Sequence, residues 1–333
     1  MSGDVIQNKI MEKLEDLGLT QYGFMKAQTL SQDSLAYFRE REERNFTTSF
    51  EENDLLRKVN LQSEMENAKT IISVAFPYFY DAYIHKEGYF SLYTLGQDYH
   101  IVVKDYLEKV AEVIRSFGYE AKVFADNNSL PERYIAYASY VGEIGKNHML
   151  ITKEYGSYVF LGEILTNLVL DTRERDYHEI PLHSICGECT NCIKACPTQI
   201  LGNEYYDTKR CMSYITQSKE VPDEDLLLFK GRLFGCDTCQ RSCPLNRKVK
   251  TSPIEAFRPR EYMKYPNLRE LLELTNQEFL KYKETSSGWR GKKLLQRNAM
   301  VELVRKGNTI DLERLPTEYL REYYHRLERL FNL

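Results

Sequence analysis

Four cysteines fall within eleven positions in the run Cys186-x2-Cys189-x2-Cys192-x3-Cys196, and Pro197 follows the last. A second run, Cys236-x2-Cys239-x3-Cys243-Pro244, repeats the end of that pattern, with Cys211 upstream as its displaced first member. Thiolates two residues apart can wrap a compact iron–sulfur cube, while a fourth cysteine three residues further on, before proline, serves a neighbouring cluster. Two 4Fe-4S clusters need eight thiolates, and the chain has eight cysteines in all. The exchange of fourth ligands gives Cys186, Cys189, Cys192 and Cys243 to one cluster. Cys196, Cys211, Cys236 and Cys239 take the other. A zinc site would favour isolated C-x2-C pairs, and the three-in-seven spacing with a trailing Cys-Pro argues against it. Structural disulfides suit an oxidising compartment. Here the N-terminal stretch is charged and amphipathic with no signal-peptide core, so a cytoplasmic protein with reduced thiols is expected.

Such clusters pass single electrons and do not themselves reshape a small substrate. A cluster module needs far fewer residues than the 333 present, so the segment before it should hold a second redox centre. That segment contains no G-x-G-x-x-G and no P-loop, which removes the usual nucleotide fingerprints. Apolar residues Val5, Ile6, Ile10, Leu14 and Leu17 predict a helix closed by Gly18. Residues 70–79 and 120–126 read as strands, the second delivering Asp126 at its end, and 99–118 reads as a helix closed by Gly118. Residues 156–170 supply further strand material. Helices alternating with strands to about residue 175 predict an α/β domain.

Residues 176–250 are short of regular pattern and hold every cysteine, as suits a module with an inorganic core. From residue 251 onward the pattern is helical. Thr275 and Glu278 form a capping-box pair, Leu294, Leu295, Ala299, Leu303 and Val304 mark one apolar face, and the last seventeen residues form another amphipathic helix. No run of apolar residues is long enough to span a bilayer. Net charge is −4, but residues 281–306 carry eight Lys or Arg against two Glu. A solvated face and a phosphate-binding surface both fit that run.

The stretches DNNSLPER (126–133), GKN (145–147), YGSYVFLGEILTN (155–167), RCMSYITQ (210–217) and FGCDTCQRSCPLN (234–246) occur in order around the cysteine array. Together they resemble the epoxyqueuosine reductase family, over residues 50–310 or so. The resemblance implies an α/β (α+β) cobalamin-binding catalytic domain over 1–175. A ferredoxin-like double 4Fe-4S module over 176–250 follows it, then an all-α, HEAT-like, tRNA-contacting region over 251–333. The implied reaction is reduction of the cyclopentane epoxide of epoxyqueuosine, at the wobble position of a tRNA with a GUN anticodon, to queuosine. Cob(I)alamin would carry it out, fed by the two clusters and an external low-potential electron donor. A monomer with no membrane attachment is expected.

The family's proton-donating aspartate matches Asp126, which on local pattern alone is a strand-end residue capping a turn. To act as an acid near neutral pH, Asp126 would need its pKa raised, as burial beside the corrin would do. Implied cobalamin contacts are Lys58, Tyr99, Asp126, Gly145, Asn147, Leu150, Leu161, Ser213 and Gly235. Lys58 stands where an arginine is expected, and AYASYVGEIG (136–145) departs from the usual alanine- and glycine-rich helix, which puts the local pocket shape in question. Asp98-x-His100 begins a pattern by which some cobalamin proteins ligate cobalt. Val103 breaks it, so His100 is expected to line the pocket without a cobalt bond. Arg290, Lys292, Lys293 and Arg297, in GWRGKKLLQRNA (288–299), are the expected tRNA phosphate contacts. The chain also stops sooner after QRNA than longer family members, so a smaller anticodon-arm footprint is expected. Two other readings share the cysteine array: a cobalamin-dependent reductive dehalogenase, and an electron-transfer protein without cobalamin.

Overall fold

The computed structural model describes residues 3–81, 86–175, 183–203 and 205–332; the first residues of the expected cluster module, 176–182, lie outside them. Strand β2 (Thr70–Pro77) is buried along its whole length. Its alternate side chains divide between two layers, as the two-residue period of a strand requires. Ile72, Val74 and Phe76 meet helix α1 (Gly3–Asp16) and helix α2 (Tyr99–Ser116) through Ile10, Leu14, Val103 and Leu107. Ile71 and Ala75 face the opposite layer, where helix α3 (Glu132–Ala138) contributes Ile135 and Ala136. A strand covered on both faces has no polar side to show, which is why its sequence reads as a continuous apolar run.

The sheet has the order β1-β2-β4-β3, where β1 is Tyr22–Lys26, β3 is Ala121–Phe124 and β4 is Val159–Thr166. Every pairing in it is antiparallel, β1 with β2, β2 with β4, and β4 with β3. The alternation of helices and strands thus produces an α+β sheet and not a parallel α/β one, because pairing direction is set by the main-chain ladder and leaves no trace in hydropathy. Gly18 and Gly118 adopt positive φ (76° and 85°) just past the two long helices, the conformation that ends a helix most cheaply with glycine.

A two-residue parallel ladder, Tyr89–Phe90 on Arg232–Phe234, ties the N-terminal half to the cysteine-bearing segment. Beyond it, helix α4 (Lys292–Arg305) is buried on all sides, from Leu294 to Val304 without a break. The apolar face expected for this helix is therefore a whole buried cylinder, against which helix α5 (Glu318–Phe331) and the short helix Leu268–Leu272 pack. Asn298 on α4 donates to the carbonyls of Thr216 and Leu233, at 2.9 and 2.8 Å. One apolar core runs from Ile6 through Phe229 to Leu327, so the three segments share a common interior. The Thr275–Glu278 capping box forms as read, with the Thr275 amide donating to Glu278 Oε2 at 2.8 Å and the Glu278 amide to Thr275 Oγ1 at 3.2 Å.

Candidate functional site

The eight cysteines are unpaired with one another, and Cys192, Cys196 and Cys243 are buried. Cys186, Cys189, Cys192 and Cys243 line one cavity of about 160 Å³. Cys243 comes from the second motif, so the fold brings it beside the three thiols with which the ligand exchange would pair it. The Lys146 amide donates to Cys186 Sγ at 3.3 Å, and Lys146 Nζ donates to the carbonyls of Gly187 and Cys189 at 2.5 and 3.2 Å. A side chain at Gly145 would strike Ile151 Cδ1 at 2.6 Å and stand 3.5 Å from Cys186 Sγ, so glycine lets this loop close over the thiols. Asn147 Nδ2 is buried beside the same cavity with no hydrogen-bond partner. An orphaned donor beside four thiols fits a sulfide-bearing cluster, whose inorganic sulfurs accept hydrogen bonds.

The second set converges as well. Burial raises Cys211 to about 11, and the charges of Cys236 and Cys196 add to the effect. Cys239 is raised by burial and then by Cys211, Cys236 and Cys196. Thiols that oppose one another's ionisation need a cationic core to become ligands. Arg232 Nε already donates to Cys236 Sγ at 3.2 Å. Among the described residues no three Cys, His, Asp or Glu side chains close on a single ion.

Asp126 follows β3 in a left-handed loop, with φ of 54° at Asp126 and 51° at Asn127. Its amide donates to Glu132 Oε1 at 2.9 Å, and Asn128 Nδ2 binds both the Asp126 carbonyl and Glu132 Oε1 at 3.1 Å, so a half-buried glutamate holds the loop from beneath. From the first turn of α2, the Tyr99 hydroxyl donates to Asp126 Oδ2. His100 Nε2 lies 3.5 Å from the same oxygen, and His100 Nδ1 lies 2.8 Å from Asp98 Oδ1. Tyr99 is fixed in turn by stacking on Phe160, with ring centres 4.2 Å apart. Both ring nitrogens of His100 thus face carboxylates.

These contacts set the charge states. Burial works against a charged His100, but Asp126 and Asp98 outweigh it and push its pKa to about 9. Burial likewise favours neutral Asp126, yet hydrogen bonds from His100, Tyr99 and the Asn127 amide hold it down at about 2. In the protein alone Asp126 is thus held below the ordinary carboxylate range, its side chain half exposed and surrounded by donors. The raised carboxyls lie behind it. Burial, then the charge of Asp126, lifts Glu132 to about 7. Fully buried Glu163 is raised well above the usual range by burial and then by Glu132, and its Oε2 has no partner. Sequence reasoning passed over Glu132 and Glu163, although both lie inside the quoted motifs.

Asp126 opens on a cleft of about 780 Å³ whose walls include Arg57, Lys104 and Lys122, and on an adjoining pocket of about 250 Å³ that reaches Arg41 and Arg133. Lys58 lines that pocket, its ammonium 4.0 Å from Glu51 and over the Phe38 ring. Ser213, Tyr93 and Gly235 form the bridge to the thiols. Burial raises Tyr93, which bonds to Ser213 and feels both Cys211 and Asp126. Cys211 of the second thiol set and Asp126 are thus both within electrostatic reach of one side chain. A side chain at Gly235 would meet Ser91 Cβ at 2.5 Å.

The remaining sequence-predicted residues divide. Gly145 and Asn147 belong to the first thiol cavity, and Leu161 is partly buried beside Leu150. Leu150 itself is core, packed with Ile144, Tyr155 and Val159, and has no side-chain surface to offer a cofactor. Arg290 is half-buried and donates to the Gln217 carbonyl at 2.9 Å, Lys292 reaches the Leu274 carbonyl at 3.3 Å, and Lys293 is exposed. Arg297 is fully buried, with its guanidinium on the carbonyls of Ser218 and Thr216 at 2.7 and 3.2 Å. It cannot reach a phosphate; its expected role is corrected to that of a clamp between α4 and the cluster module.

Residues 58–127 match a family model described as epoxyqueuosine reductase QueG, DUF1730, and residues 185–246 match a 4Fe-4S double cluster binding domain. The chain is 34% identical to an epoxyqueuosine reductase of Lactococcus garvieae over 93% of its own length and 89% of that protein's. For the epoxyqueuosine reductase of Bacillus subtilis the identity is 33%, over 90% and 78%. A crystal structure of epoxyqueuosine reductase with an epoxyqueuosine-modified tRNA-Tyr stem loop superposes with a TM-score of 0.89 at 30% identity, covering 99% of this chain and 91% of that one. The structure from Streptococcus thermophilus gives 0.82 at 28% identity, over 98% and 100%. On this agreement of motif, cluster geometry and near full-length similarity, the chain belongs to the epoxyqueuosine reductase family.

Proposed function

We propose that this protein reduces the epoxide of epoxyqueuosine in tRNA to the alkene of queuosine, releasing the oxygen as water. The observation that carries the reading is the Asp98–His100–Asp126–Tyr99 constellation, which opens on a cleft joined through Tyr93 to one of two four-thiol sets. The conversion consumes two electrons and two protons. The two 4Fe-4S clusters are the electron store. Cobalamin, when bound, supplies a low-valent cobalt centre that is both nucleophile and reductant. Lys58, Tyr99, Asp126, Ser213 and Gly235 are the residues proposed to hold it.

The protein's own chemistry at this site is proton handling. Opening an epoxide places negative charge on oxygen, and a donor within hydrogen-bond reach lowers that barrier. Charged His100 holds its proton on Nε2, 3.5 Å from Asp126 Oδ2, while Asp98 fixes the imidazole from behind. Substrate covering the half-exposed carboxyl removes its water and raises its proton affinity, so the acid forms when the substrate is in place. Glu132, poised near neutral pH against the Asp126 loop, is a second proton reserve. In this reading residues 1–175 bind the corrin, 176–250 carry the clusters and 251–333 contact the tRNA. The substrate is a tRNA with a GUN anticodon, and a low-potential donor renews the electrons. Expression in a bacterial strain lacking its own epoxyqueuosine reductase tests this reading. Mass spectrometry of tRNA nucleosides should find queuosine restored; persistent epoxyqueuosine beside soluble, cluster-loaded protein would refute it.

A further inference from the structure

Trp289 is the chain's one tryptophan, and it is 53% exposed beside Phe50, itself 42% exposed. Their rings meet edge-on with centres 5.1 Å apart, and Tyr214 meets Phe50 at the same distance from the cluster module's side. Water-exposed aromatic rings clustered in this way lose the benefit of burial, so the arrangement asks for an occupant. The indole is also fixed. Its Nε1 donates to Gln217 Oε1 at 3.0 Å, and Gln217 is itself 8% exposed and anchored through Nε2 to the Ser213 carbonyl at 2.8 Å. Arg290 donates to the Gln217 carbonyl and lies 4.8 Å from the Trp289 ring centre and 5.5 Å from that of Phe50. A planar apolar face held by a buried amide, with a guanidinium beside it, has the makings of a site for a nucleobase and its phosphate. Phe50 also lines both the Asp126 cleft and its adjoining pocket, so the aromatic cluster is the outer wall of the reaction site.

We propose that Trp289 and Phe50 form a stacking platform for an unpaired base adjacent to the nucleotide whose modified base enters the Asp126 cleft, with Arg290 on the intervening phosphate. This rests on the RNA substrate proposed above and specifies how its loop is gripped. Stacking on a pre-fixed ring gives affinity without sequence readout, while the cleft supplies selection.

The test uses protein loaded with clusters and cobalamin and a fluorescein-labelled anticodon stem-loop RNA, with binding read by anisotropy. Trp289→Ala and Phe50→Ala should each weaken binding about tenfold, and Trp289→Phe should stay near wild type, all with unchanged iron and cobalamin content. Replacing single loop nucleotides by abasic residues should identify one position, beside the reacting one, whose loss weakens wild type but has no further effect in Trp289→Ala. Wild-type affinity in both alanine variants would overturn the platform, as would additive losses at every loop position. Loss of cobalamin from Trp289→Ala with RNA affinity intact would also overturn it, by assigning the surface to the corrin. If the RNA failed to bind wild type, the proposed substrate would fall too; binding by wild type and alanine variants alike would remove only the platform.

Discussion

At Asp126 a single carboxyl has its charge decided by its neighbours: Tyr99 and His100 donate to it, and Glu132 holds its loop. Asp126→Asn keeps the shape but removes the anionic oxygen, so turnover should fall at least about 100-fold, with iron and cobalamin content unchanged. Single-turnover assays on pre-reduced enzyme measure this directly. His100 sets the alkaline side. Its folded pKa of about 9 stands above the ordinary 6.5, so the charged pair contributes fully below 6.5 and is lost as pH rises through 9. The kcat/KM profile should therefore descend above about pH 9. In His100→Gln that limb should vanish and the plateau should drop, and an unchanged limb would remove His100 from the proton path. Asp126 was legible through its motif, whereas Glu132 and Glu163 were not. Their raised pKa values come from burial and from a neighbouring carboxylate, Asp126 for Glu132 and Glu132 for Glu163, which only the fold reveals.

Helices and loops divide the same way between what sequence shows and what it hides. The glycine ends of α1 and α2, the buried strand β2 and the Thr275 capping box were readable because each is a local signal. The burial of α4 was not, because the partners of Arg297 lie about eighty residues away, at Thr216 and Ser218. Arg297→Ala strands several buried carbonyls and should cost about 3 kcal/mol or more of stability. A lower thermal midpoint with no change in the salt dependence of RNA binding is the expected pairing. The crossed cysteine motifs make a second prediction at this scale. Cys243→Ala should empty the Cys186 cavity's cluster and leave the other, so iron should fall from about eight to about four per chain. An iron content unchanged at about eight per chain would contradict the ligand exchange.

Across the whole molecule, a common apolar core joins the N-terminal sheet, the thiol-bearing segment and the terminal helices, so the proposed reaction would draw its electrons and protons within one folded unit. Net charge is −4, so the RNA of the proposed reaction would be drawn by local basic surface, which includes exposed Lys293 and half-buried Arg290 near the aromatic wall and Arg57, Lys104 and Lys122 along the cleft. Lys293→Ala should reduce the slope of log affinity against log salt by roughly 1. The antiparallel sheet and the inward turn of Arg297 were the features least legible beforehand, since both depend on which distant segments meet. The most direct test of the account is one turnover by purified protein. Enzyme carrying both clusters and cobalamin, reduced anaerobically and mixed with epoxyqueuosine-containing tRNA, should yield queuosine that has lost one oxygen atom, as read by mass spectrometry. Fully loaded, fully reduced enzyme that leaves the epoxide intact would contradict the account.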